Sequence, residues 1–157
     1  MLYSVLKLVH LLSIIVWVGG MVFAHFFLRP AVAGTLESVA GRLRLMDAVL
    51  QRFFSAVLVA VVLVVGSGVW MIGNMARMAV QSGGRFSMPL SWTIMATLGL
   101  VMAVIFGHIR FALFKRLHRA TQASDWANAG KALASIRTWV AVNLAIGLAT
   151  MAVALLV

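Results

Sequence analysis

The side chains that could do chemistry inside the apolar stretches of this chain are histidines, methionines and one asparagine. The three acids, Glu37, Asp47 and Asp125, all fall between those stretches. If the stretches cross a membrane, the lack of an internal carboxylate disfavours proton pumping, sodium coupling and carboxylate-based catalysis. The absence of cysteine excludes disulfides and thiolate metal sites. We therefore expect a protein that binds a metal or an aromatic cofactor and has no conventional enzymatic activity.

His10 and a group of methionines could form a copper site near one end of the apolar stretches. His10 lies five residues into the first stretch, which is about 7 Å at the usual helical rise. If successive stretches run in opposite directions, methionines of the second and third reach a similar depth, namely Met71, Met75 and Met95. Thioether and imidazole groups suit Cu(I), so the pattern predicts a His/Met copper site. The alternative is that methionine simply fills gaps in an apolar core.

His25 and His108 lie near the opposite end and could be the axial ligands of a b-type haem. Because the first and third stretches run in the same direction, these imidazoles come to nearly the same depth. Arg29 and Arg110 follow them closely and could pair with the haem propionates. Haem b is thus the alternative cofactor to copper, in electron transfer or redox sensing. The other alternative is that both histidines only form hydrogen bonds at the headgroup level.

The same face of the first stretch carries further candidate side chains. At helical spacing His10, Trp17, Met21 and His25 fall within about 80° of one another. Asn143 lies inside the last stretch, where its amide could bond across helices or contact a ligand.

The elements that must position these residues are four apolar helices. The chain of 157 residues is 64% hydrophobic and only 10% charged, with a mean hydropathy of +1.08. A soluble domain would carry about a quarter charged residues. Spans are predicted at about 5–28, 53–76, 86–112 and 137–157, each long enough for a hydrocarbon core of about 30 Å. Residues 1–157 are predicted to form one domain, an all-α, antiparallel four-helix transmembrane bundle.

The basic residues indicate the orientation. The net charge of +10 comes mostly from two loops that would share one side of the bilayer, whereas Lys7, Arg77 and Arg85 lie on the other. The positive-inside rule then predicts a bacterial inner-membrane protein with both termini periplasmic. The charge therefore points to the lipid bilayer as partner and away from nucleic acid, since no motif that reads bases accompanies it.

The connecting segments also contain local signals. Residues 35–51 are predicted to form an amphipathic interfacial helix, with Asp47 on its polar side. Pro30 is expected to stop the first helix, and Ser124-Asp125 to cap the last. His118 is expected to be simply solvated.

Small residues recur at helical spacing in the second and fourth stretches, at Gly66, Gly73, Ala141, Ala145 and Ala149. Such residues let helices approach closely in lipid. They could serve packing within the bundle, a homodimer or a larger membrane complex.

The first stretch resembles the opening of the copper resistance D (CopD) family of membrane proteins. The similarity is carried by Leu6-Lys7-Leu8-Val9-His10-Leu11-Leu12, Trp17-Val18-Gly19-Gly20-Met21 and Leu28-Arg29-Pro30, with Ile136-Arg137 and Val142-Asn143-Leu144 in the last helix. The resemblance implies copper binding or transport at the bacterial inner membrane, with His10 as the functional position. It also implies a periplasmic copper carrier as a partner.

Lys7, His10, Trp17 and Gly20 are similar as well to the HemJ-type protoporphyrinogen oxidases, which are four-helix, haem-associated enzymes. The later motifs of that group are replaced here by Phe26, by Trp92-Thr93-Ile94 and by Arg137-Thr138-Trp139-Val140-Ala141. Porphyrinogen oxidation is therefore an alternative function for which this chain lacks the expected residues. Haem binding through His10 stays open.

Overall fold

The computed structural model describes residues 1–156, which form four long helices joined by short connections. We number them α1 (Leu2–Thr35), α2 (Val39–Gln81), α3 (Leu90–Gln122) and α4 (Trp126–Leu156). Each is long and apolar enough to cross a membrane, and the described chain contains no strand. This confirms the prediction of an all-α polytopic membrane protein.

Local sequence signals set the helix ends. The Ser38 hydroxyl accepts a hydrogen bond from the Gly41 amide at 3.0 Å and caps α2. Asp125 caps α4 in the same way, as predicted, because its Oδ1 accepts from the Asn128 amide at 3.1 Å. The N–H groups of Asn128 also hold the pKa of Asp125 below its ordinary value. Pro89 is extended and precedes α3, so this helix starts at Leu90 rather than near residue 86.

Three short π-helical stretches interrupt the α-helical hydrogen bonding, at Ile15–Gly19 and Ala24–Leu28 in α1 and at Ile109–Leu113 in α3. The second stretch explains why Pro30 does not stop α1, contrary to expectation. The Arg29 amide bonds back to the Ala24 carbonyl, so the ladder is already shifted by one residue where the proline lacks its N–H. The helix therefore continues to Thr35.

The helices pack chiefly as two pairs, α1 against α2 and α3 against α4, and α4 also contacts α1 and α2. Side chains of α1 and α3 meet in the middle, where the Trp17 and Phe106 rings lie edge to face with centroids 6.2 Å apart. Phe54 of α2 contacts Phe106 from the other side at 6.1 Å. An aromatic layer thus joins α1, α2 and α3.

The outer surface is as apolar as the core. Val104 is 74% exposed, and Phe27 and Val62 also point outward. A continuous apolar surface of this kind requires lipid around it. The small residues Gly66, Gly73, Ala145 and Ala149 are exposed too, so they lie on the outside of the bundle and not in its internal contacts.

The first part of α2 extends beyond the length that a bilayer needs. Its 43 residues span about 64 Å, twice the thickness of a hydrocarbon core. The amphipathic segment predicted at 35–51 is continuous with the span, and Leu43, Met46 and Leu50 are buried against the other helices. Asp47 is buried as well, at 5% exposure, which corrects its assignment to the polar side.

Candidate functional site

His10 lies half-buried between α1 and α2, where its ring contacts two small residues. Its Nδ1 is 2.8 Å from the Ser67 hydroxyl oxygen, and its Cε1 faces Gly68. The single Ser67 hydroxyl proton is directed to backbone carbonyls, with Leu63 at 2.5 Å. In the tautomer in which Ser67 donates to that carbonyl, Ser67 accepts from the His10 Nδ1–H and Nε2 keeps its lone pair. This tautomer would leave Nε2 available as a ligand.

The methionines predicted around His10 lie at different positions relative to it. Met71 follows Ser67 by one helical turn and is half-buried on the same side of α2. Met75 is one turn further along and exposed. Met95 is half-buried on α3, a helix that shares no extensive backbone contact with α1 in residues 1–156. The structure therefore associates Met71 with His10 more closely than it associates the other two.

No three His, Asp or Glu side chains of the described chain come together at a place where they could hold a metal ion. A metal site built on His10 would need thioether groups beside its imidazole. Thioether and imidazole donors are uncharged and suit Cu(I) better than a hard divalent ion.

His25 and His108 lie in different surroundings. His25 is half-buried and lies edge to face with the Phe26 ring at 4.9 Å. His108 is exposed and contacts the Trp139 ring at 5.5 Å, on the outer side of α3 and α4. Their pairing as axial ligands stays a prediction.

The two arginines proposed for haem propionates also differ in their surroundings. Arg29 is exposed, whereas the Arg110 guanidinium lies 5.4 Å from the Phe114 ring centroid, and its Nε has no partner in residues 1–156. Between α1 and α3 the side chains leave a cavity of about 10 Å³, far below the roughly 300 Å³ of a small cofactor pocket. None of His25, His108, Arg29 and Arg110 lines this cavity, and nothing in the structure supports a haem, so haem binding stays a prediction.

That small core cavity is nevertheless a distinctive feature of the bundle. Its walls include Trp17 and Met21 of α1, both 3% exposed, together with Asn143 of α4. Asn143 is 1% exposed, and neither its Oδ1 nor its Nδ2 finds a hydrogen-bond partner in the described part of the chain. The cross-helix bond that its position suggested is therefore not formed. We call this space the core cavity.

A second polar contact, which the sequence analysis missed, joins α2 and α3 at the end opposite to His10. The His118 Nδ1 lies 3.0 and 3.2 Å from the two carboxylate oxygens of Asp47. His118 is thus paired, although its side chain is 40% exposed. The sequence contained one usable signal, since Asp47 lies only about 40° around the helix from buried Leu43.

Comparison with known proteins gives one match. A family model described as copper resistance protein D matches residues 47–157, which is more than half of the chain. The matched part contains α3, α4 and most of α2, with Met71, Met75, Met95 and Asn143, and it leaves His10 outside. No curated protein matches the chain, and no solved structure does.

Proposed function

The chain belongs to the copper resistance protein D family, and from this premise we propose that it binds Cu(I) through His10 and passes it on within the membrane. The ligands are the free Nε2 of His10 and the thioether of Met71. Met75 and Met95 are further candidate ligands at the same end of the bundle. The ion is cargo, and the protein performs no bond-making chemistry on it.

The observation that carries this proposal is the hydrogen bond between His10 Nδ1 and the Ser67 hydroxyl at 2.8 Å. Histidines that ligate metals usually donate their other ring N–H to an oxygen, which fixes the tautomer and the ring orientation. Ser67 supplies that oxygen from the neighbouring helix.

The donor types favour the reduced ion. Thioether and imidazole ligands select Cu(I), and no carboxylate or thiolate lies in the apolar parts of the helices to attract Zn²⁺ or Mg²⁺. Few and neutral ligands also hold an ion weakly. This suits a protein that transfers copper better than one that stores it.

The orientation follows from the distribution of charge. Ten of the thirteen basic residues lie within 14 residues of the connections 36–38 and 123–125, toward the end opposite to His10. The positive-inside rule places that end in the cytoplasm of a bacterium. His10 and both termini would then lie on the periplasmic side of the inner membrane, where a periplasmic copper carrier could deliver the ion.

The test is copper binding by the purified full-length protein in detergent, measured by competition with a colorimetric Cu(I) chelator. We expect His10→Ala to lose this site and to lower copper tolerance in cells that depend on the protein. Met71→Leu should weaken binding, whereas Met78→Leu, an exposed methionine of the same helix, should not. A folded His10→Ala protein with unchanged binding and unchanged tolerance would refute the proposal.

A further inference from the structure

We propose that an open polar pocket between α2 and α3, at the end of the bundle opposite to His10, binds a phosphate group. The pocket has a volume of about 440 Å³, and its lining includes Arg44, Gln51, Thr121 and Gln122. We call it the polar pocket. The phosphate belongs either to an anionic lipid headgroup or to a soluble compound, and the experiment distinguishes these two sources. The inference is independent of the proposed function, because none of these residues is a candidate copper ligand.

The charges around the polar pocket favour an anion. The Arg44 guanidinium lies 5.2 Å from the Trp126 ring centroid, which positions it, and it forms no ion pair with an acid in residues 1–156. The single acid of the lining, Asp47, already accepts a hydrogen bond from His118 Nδ1 at 3.0 Å. The adjoining turns of α3 add three basic residues and no acid between positions 115 and 119. An anion in the pocket therefore meets an unpaired cation, while the nearby carboxylate is already engaged.

The hydroxyl of Thr121 is an independent observation that points to a ligand. Thr121 is 6% exposed and lines the polar pocket, yet its Oγ1 has no hydrogen-bond partner in the described part of the chain. The other five threonines of the sequence all donate to the backbone carbonyl four residues earlier, as a helical threonine can; they are Thr35, Thr93, Thr97, Thr138 and Thr150. Thr121 alone does not make this bond, so its hydroxyl is available to a group in the pocket.

The donor groups and the size of the polar pocket suit a phosphate. One guanidinium, two side-chain amides and two hydroxyls line it from both helices and from the connection that follows α3. A phosphate accepts several hydrogen bonds through its oxygens, and a guanidinium binds it with two parallel bonds. The volume is within the range of about 300–1,000 Å³ that is typical of small-molecule sites. The phosphate can therefore carry an organic substituent.

The position of the polar pocket is compatible with both sources of phosphate. Gln51 lies two residues before the predicted span 53–76, so this part of the pocket is level with the lipid headgroups. Arg44 lies seven residues earlier, about 10 Å further into the aqueous phase. Anionic lipids of the cytoplasmic leaflet are attracted to clusters of basic residues beside a span. A lipid would enter the pocket from the membrane side, and a soluble compound from the aqueous side.

The experiment measures the binding of two probes to the full-length protein in detergent. Inorganic phosphate is titrated by calorimetry, and retention of dioleoylphosphatidylglycerol is measured by native mass spectrometry, with zwitterionic dioleoylphosphatidylcholine as the comparison lipid. We expect saturable binding of at least one anionic probe and weaker retention of phosphatidylcholine. Retention of phosphatidylglycerol alone assigns the lipid as the source, binding of inorganic phosphate alone assigns a soluble compound, and binding of both shows that the pocket accepts either. Binding of neither probe would overturn the inference.

Two variants locate the binding in the polar pocket. Arg44→Gln should weaken it roughly tenfold or more, because a charge-assisted hydrogen bond is lost. Thr121→Val should weaken it about three- to tenfold, and it should remain folded because the hydroxyl has no partner to lose. Arg119→Gln is the matched control, since it removes the same charge from an exposed residue of α3 that does not line the pocket. If it weakens binding as much as Arg44→Gln does, the attraction is general and the inference is overturned.

Asp47→Asn tests the sign of the charge that the polar pocket accepts. Asparagine keeps an oxygen that can accept from His118 Nδ1, but it removes the negative charge. Binding of the anionic probe should therefore become severalfold tighter. A pocket that takes a cation would use this carboxylate as a ligand. Loss of binding in a folded Asp47→Asn protein would thus overturn the inference.

Discussion

Removing the hydroxyl of Ser67 tests the orientation of His10 without touching a metal ligand. In Ser67→Ala the Nδ1–H loses its acceptor at 2.8 Å, while α2 gains a better helix former. The imidazole can then rotate and exchange its tautomer. Loss of such a supporting hydrogen bond typically weakens metal binding 10- to 100-fold, or by roughly 1.4 to 2.8 kcal/mol. We expect a weakening of Cu(I) binding within this range.

The assay is the chelator competition described for His10, carried out at one pH on both proteins. Ser55→Ala is the matched control, since Ser55 also lies on α2 and donates to the backbone one turn earlier, at Gln51, at 2.8 Å, but is exposed. It should bind copper like the wild type. If Ser67→Ala binds within threefold of the wild type while His10→Ala loses the site, the argument from the fixed tautomer is wrong, although His10 remains a ligand.

Two further predictions concern packing and the polar contact at the opposite end. Gly20→Ala should destabilise the protein by about 1–3 kcal/mol and disturb the core cavity, because the added methyl group would collide with the Phe53 ring. Gly19→Ala meets nothing within 4 Å and should leave thermal unfolding unchanged or stabilise the protein by up to about 1 kcal/mol, because alanine is the better helix former. His118→Ala should lower the free energy of unfolding by about 1–2 kcal/mol, because it leaves the buried carboxylate of Asp47 without its partner, while nearby water limits the loss. Lys115→Ala, a change at an exposed residue of the same helix, should leave the stability unchanged. Equal melting temperatures for the two variants would contradict this reasoning.

The four helices could be predicted from the sequence because hydrophobic length alone decides them in a bilayer. The direction in which a side chain points from its helix could not be predicted in the same way, because it depends on the rotation summed over all preceding residues of the helix. His25 and His108 illustrate this, since counting residues gave their depth but not their direction. Both lie within or next to a π-helical stretch, where the hydrogen bonding shifts by a residue and the regular wheel no longer applies.

Contacts between residues far apart in the chain could not be predicted from the sequence, for a different reason. The Asp47–His118 pair joins residues that are 71 positions apart, and nothing local to either residue indicates the other. Asn143 could be recognised as a polar residue in an apolar helix, which made a bond across helices the natural expectation. Only the packing of its neighbours reveals that they are apolar and that a cavity lies beside it.

The charge state of the proposed ligands has a consequence for selectivity. His10 and Met71 are both neutral donors, so an ion bound by them would bring its full charge into the apolar part of the bundle. Burying a charge without a counter-charge is costly, and the cost is smaller for a monovalent ion than for a divalent one. Cu(I) is thus favoured over Cu(II) by charge as well as by softness. The same cost would limit the affinity of the His10 site, which would let the ion leave it.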